Sequence, residues 1–191
     1  EKAEAFARAG GTWIIGPMSG ILTEDTSKYT DSPCPFVERF AGVYTKYQKP
    51  IANSVWHAAW QDGSPLGISI CYDALEATDS TPLATYHGDE FDGFAAITER
   101  RIGAGRVILL GTLPDASAIR RLTGLSPIAE ASENIDLIER SGTHAGLIAI
   151  ETENKPGILT LPGSYRDLIH DRRLCGTVTV KPYEALVLEA E

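Results

Sequence analysis

The order of apolar and polar positions gives the chain a mixed first part and a second part of short alternating runs. Over residues 1–9, Ala3, Phe6 and Ala7 recur at three-to-four spacing, the rhythm of an amphipathic helix. Gly10-Gly11 supplies the left-handed backbone that stops such a helix, and residues 12–15 then read as a strand. Helix, glycine stop and apolar strand make the second half of a βαβ unit whose first strand is missing, so the sequence is expected to begin inside a truncated α/β domain. Residues 16–35, rich in Gly, Pro, Ser, Thr and Asp, read as a long surface connection. Short β-type runs follow at 42–47, 54–60, 65–72 and 74–85, with strands expected at 67–72 and 82–87.

The clearest local pattern is a β-prone run at 94–102, the loop Gly103-Ala104-Gly105, and a second run at 107–112. It predicts an antiparallel hairpin. Val107 to Leu110 has no polar alternation, which predicts an interior strand buried on both faces. Residues 116–122 can form a helix ending at Gly124. Beyond Ser126-Pro127 the texture changes to strands alone, at 135–139, 146–151, 157–161, 176–180 and 185–188. Two domains are therefore expected, an α/β domain over residues 1–126 and a small all-β domain over 127–191.

Charge narrows the set of partners. Among 191 residues, 17 Lys and Arg stand against 26 Asp and Glu, a formal net charge of −9, which excludes the basic face that nucleic acid or an anionic membrane requires. No window approaches the roughly 18 unbroken apolar residues of a membrane span. Cys34, Cys71 and Cys175 are an odd number at long spacings, fitting neither a disulfide framework nor a zinc site. The chain opens on Glu1 with no basic-then-apolar leader. A reducing, cytoplasmic setting is expected.

The search for catalytic chemistry is mostly negative. Gly103-Ala104-Gly105 lacks the third glycine and the following helix that a phosphate loop needs. Cys71 lies between Ile70 and Tyr72 without the glycines of a nucleophile elbow, and reads as a small buried hydrophobe. His57, His87, His144 and His170 form no HxH or HExxH pair. His87 beside Asp89, Glu90 and Asp92 is the densest polar group; a solvated loop is its first reading, divalent-cation binding its second, and an independent hydrolase using those acids a rival. No catalytic, cofactor or metal residue is assigned. Trp56 and Trp60, four apart, suit core or interface packing better than sugar stacking.

Several stretches resemble the C-terminal part of glycoside hydrolase family 42, β-galactosidases built as a barrel, a trimerisation domain and a small β domain. They are AGGTWII at 9–15 running into SGILTED at 19–25, the hairpin AITERRIGAGRVILLGTLPD at 96–115, and the tail segments LTLPGSYRDL at 159–168 and GTVTVKPYEALVL at 176–188. The resemblance implies a flavodoxin-like or class I glutamine amidotransferase-like sheet domain used for assembly, followed by the small β domain. It implies retaining hydrolysis of terminal β-galactosides by two glutamates of a barrel that this chain does not contain, the acid/base residue lying in an Asn-Glu pair that the sequence lacks. The partner expected is a second and third copy of the chain, in a homotrimer, with Trp56, Trp60 and the 16–35 connection at or near the interface. An amidotransferase-like module binding a sugar or other small ligand is the alternative.

Overall fold

A computed structural model describes residues 1–28, 35–50 and 57–191. The chain divides into two compact units, Glu1–Gly124 and Leu125–Glu191. The first contains α1 (Lys2–Arg8), β1 (Thr12–Ile15), α2 (Pro35–Ala41), β2 (Val43–Pro50), β3 (His57–Trp60), β4 (Pro65–Leu66), β5 (Ile68–Ser69), β6 (Cys71–Ala77), β7 (Thr81–His87), β8 (Ala95–Ile102), β9 (Gly105–Leu110), β10 (Leu113–Pro114) and α3 (Ala116–Thr123). The second contains β11 (Glu130–Ala131), β12 (Ile135–Arg140), β13 (Gly146–Glu151), β14 (Gly157–Asp167), β15 (Arg172–Val180) and β16 (Ala185–Ala190).

The main sheet of the first unit runs β1-β9-β8-β7-β3-β4, with β6 joining β8 through Leu75 and Ala95, and β2 pairing β6. β9 lies inside it, between β1 and β8, as the unbroken apolar run predicts. Val107 and Leu109 point into a cluster with Ala7, Phe40 and Val43 under α1 and α2. Ile108 and Leu110 point into the opposite cluster with Tyr86, Phe91 and Leu122, on the side of α3. Burying such an aliphatic side chain is worth about 1.5–3 kcal/mol, so one strand anchors both layers. Gly10, at φ +106°, ends α1 as expected, and the hairpin turn then approaches the helix end closely. A Cβ on Gly105 would stand 2.2 Å from the Gly11 carbonyl oxygen and 2.3 Å from that of Ala7, a gap only glycine fits. Asp115 caps α3 by accepting from the Ala118 amide at 2.9 Å, and Gly124 closes it.

This architecture overturns the expected α/β, flavodoxin-like or amidotransferase-like fold. Among the described residues there are sixteen strands against three short α-helices, and β1–β9 is the lone parallel pair. The reason is the length of the connections. Parallel neighbours need a crossover of a dozen or more residues, whereas the paired strands β7 and β8 are joined by residues 88–94, and β8 and β9 by Gly103 and Ala104. The α1–stop–β1 signal is local and correct. It does not extend to the rest of the sheet, whose other pairs are antiparallel.

The second unit consists of strands in the order β11-β14-β16-β13-β12, with β15 on β14, all antiparallel. Leu147, Ala149, Leu159, Leu161, Leu186 and Leu188 fill its core. The strand expected at 157–161 continues to Asp167, because the pairing with β15 shifts between Leu161 and Ser164. That bulge breaks the alternation on which the prediction depends.

Glu151, 1% exposed, lies in this core edge with every oxygen engaged. Its Oε1 accepts from Asn134 Nδ2 at 2.9 Å and the Glu153 amide at 2.8 Å, and its Oε2 from the Tyr183 amide at 2.7 Å. Burial works against the charged form, but these hydrogen bonds outweigh it and bring the carboxyl down from its ordinary 4.5 to about 2. A depressed carboxyl stabilises the fold fully above its unfolded pKa and loses that contribution as pH falls towards the folded one. The urea midpoint of the second unit should therefore fall between about pH 4.5 and pH 2. Glu151→Gln should flatten part of that fall; an unchanged profile would remove Glu151 from the cause.

Candidate assembly surface

Trp56 lies outside the described residues, so only Trp60 of the two tryptophans can be placed. Trp60, in β3, is 7% exposed and belongs to the core on the α3 side. The guanidinium of Arg121, from α3, lies over its ring at 4.2 Å from the centroid. The same guanidinium donates to Asp62 Oδ2 at 2.8 Å and Ser64 Oγ at 3.0 Å. Asp62 in turn accepts from the Ser64 amide and hydroxyl, and with Arg121 these bonds hold its carboxyl down at about 2. Arg121, a partner with no local sequence signal, thus covers Trp60.

The connection expected to carry function is described as far as Lys28. Met18 and Leu22 are about half exposed there, and the Met18 amide donates to Asp73 Oδ2 at 3.0 Å. In the acidic loop the side chain of Asp89 lies outside those described, and Glu90 and Asp92 turn to different partners. Glu90 takes Lys49 at 2.6 Å, and Asp92 accepts from the Gly88 amide at 3.1 Å with His87 Nδ1 at 3.8 Å. Among the described residues no three His, Cys, Asp or Glu side chains gather to hold a metal. Cys71 is buried, and burial, with Asp73 nearby, pushes its thiol up; Cys175 is exposed and free. No helix among the described residues is long and apolar enough to cross a membrane.

Large apolar side chains nonetheless reach the surface of the first unit. Phe36 stacks on Phe40 at 5.8 Å, with half of its own surface exposed. Phe6, expected on the buried face of α1, is also half exposed and lies across Gly11, where a Cβ would touch its ring. Ile70, between β5 and β6, is 63% exposed and holds φ +70°. Leu113 is exposed too, on the strand paired with Ser69 beside it.

Comparison with known proteins places the chain in a family. The profile of the β-galactosidase trimerisation domain matches residues 1–131, and that of the β-galactosidase C-terminal domain matches residues 153–190. The chain belongs to the glycoside hydrolase family 42 β-galactosidases. It comprises their trimerisation and C-terminal domains. Similar proteins include β-galactosidase YesZ of Bacillus licheniformis, 30% identical over 98% of this chain, and YesZ of Bacillus subtilis, 30% identical over 99%. This chain spans 30% of the length of each. The fold is shared with the crystal structures of β-galactosidases from Bacillus circulans sp. alkalophilus, TM-score 0.77 at 18% identity, and from Rahnella sp. R3, TM-score 0.75 at 18% identity. The match covers 99% and 98% of this chain, and 30% and 29% of those chains. The amidotransferase-like binding module finds no support in the family or the fold.

Proposed function

We propose that this chain is the assembly portion of a cytoplasmic β-galactosidase, and that residues 1–126 hold three copies together as a homotrimer, with residues 127–191 as the second domain. The reading rests on the match of the trimerisation-domain profile to residues 1–131. Terminal β-galactosides would be cleaved with retention by glutamates of a barrel outside these residues; this polypeptide alone turns over none. Trp56, and Trp60 acting through Arg121, stand at or near the contact.

Ile70 supports an external contact of this kind. A β-branched residue at positive φ costs of order 1–3 kcal/mol, and here the strained side chain is mostly exposed rather than packed. Contact with another copy would offset that cost, as closed rings require one surface complementary to its neighbour. Ile70→Gly should then raise the thermal midpoint of the isolated chain by relieving strain, yet weaken its self-association. Sedimentation equilibrium checks both this variant and Trp56→Ala with Arg121→Ala. A chain that stays monomeric at every concentration, or that hydrolyses a galactoside by itself, would refute the reading.

A further inference from the structure

Asp73 and Thr98 hold the buried side-chain oxygens that lack a hydrogen-bond partner among the described residues. Asp73 is the costlier of the two, because its group can carry charge. It is 5% exposed, in β6; its Oδ2 accepts from the Met18 amide, and the Gln48 side chain also bears on the carboxyl, while its Oδ1 is left without a partner at hydrogen-bond geometry. Its Oδ1 has no donor if the group is ionised and no acceptor if it is protonated, so neither state satisfies it. The side chain walls a cavity of about 20 Å³ together with Gly16, Ser19, Glu38, Thr45 and Gln48. That is room for one occupant of water size.

The lining decides which occupant fits. The polar side chains on it are carboxylate, hydroxyl and amide, and none of its described residues is basic. Glu38, 7% exposed, adds a second carboxylate, whose Oε1 accepts from the Thr45 amide at 2.6 Å. A water molecule could complete the bonding of the neutral acid, whereas a cation would in addition stabilise the ionised form that burial disfavours. Burial, the largest influence, raises the Asp73 carboxyl; Met18, Gln48 and the exposed Lys28 only oppose it in part. Hard cations take oxygen ligands of this mixed kind, with no need of histidine or thiolate. We propose that this cavity binds a single hard, oxygen-ligated cation through Asp73, tying the connection after β1 to β6 and α2. The inference goes beyond the assembly reading and stands without it.

Thermal unfolding of the whole chain in matched ionic strengths of calcium, sodium, potassium and choline chloride tests it. At least one metal ion should raise the midpoint saturably above choline. Asp73→Asn should abolish that rise, and Gln48→Ala should increase the half-saturating concentration about tenfold. The Gln48 variant keeps the test decisive should the Asp73 variant fail to fold. Coincident midpoints in all four salts would overturn the proposal and leave water as the occupant. An ion-specific rise that survives undiminished in either variant would overturn it as well.

Discussion

Asp167→Ala is expected to lower the stability of the second unit by about 3–5 kcal/mol, the cost of leaving a buried ionic network without one partner. Asp167 is fully buried at the end of β14 and organises the turn into β15. Its Oδ2 accepts from His170 Nδ1 at 2.7 Å and Arg172 Nε at 3.0 Å, and its Oδ1 from the Ile169 amide at 3.1 Å. Arg172 reaches on to Glu184 Oε1 at 2.9 Å, whose other oxygen accepts from the Lys181 amide. Burial raises the Asp167 carboxyl, but the bonds from His170 and Arg172 outweigh it and keep the group below its ordinary value. A unit of this size has roughly 3–10 kcal/mol in total, so the variant should lose amide-exchange protection along β14 and β15 at room temperature. Protection within tenfold of the parent chain would mean that the network is not needed to hold the hairpin.

Phe91→Ala should cost the first unit about 3–5 kcal/mol, the usual range for removing a buried aromatic ring. Phe91 is 1% exposed, although it ends the acidic Asp89–Phe91 turn. Its ring stands about 6 Å from those of Tyr47, Tyr72 and Tyr86, at 6.0, 6.3 and 6.0 Å between centroids. Tyr86 is fixed in turn by its hydroxyl, which donates to the Gly111 carbonyl at 2.8 Å, where β9 leaves the sheet. Deleting Phe91 therefore opens a cavity into which Tyr86 cannot move without breaking that bond. Phe91→Leu, which keeps most of the volume, should cost under half as much, and chemical denaturation measures both. A loss below about 1 kcal/mol for the alanine variant would show that the cluster collapses freely.

What was legible in the sequence followed local rules. The Gly103 hairpin, the stop after α1, the capped α3 and the strands at β13 and β16 all rest on turn chemistry or short-range alternation. What was not legible depended on partners remote in sequence. Whether runs pair in parallel or antiparallel depends on how they meet, and one true helix-to-strand fragment, α1–β1, makes the whole domain read as α/β. Phe91 has acids beside it in sequence and tyrosines beside it in space, so no local rule marks it as core. Trp60 stands out in the sequence, whereas the Arg121 that covers it lies 61 positions away. Asp73 does leave a signal, an acid within the otherwise apolar run Cys71–Leu75, which marks a buried carboxylate that must find ligands, whereas Asp167 lies beyond the strand expected at 157–161.

The pairing of β1 with β9 joins Thr12 to Arg106, 94 positions apart, whereas β7 and β8 close through residues 88–94 and β8 and β9 through Gly103 and Ala104. Closing so long a loop carries an entropic penalty that local hairpins avoid. The antiparallel part should therefore assemble early, with α1 and β1 docking onto β9 late in folding. Stopped-flow kinetics of Ile14→Val should then show faster unfolding at an unchanged folding rate, the mark of a contact made after the barrier.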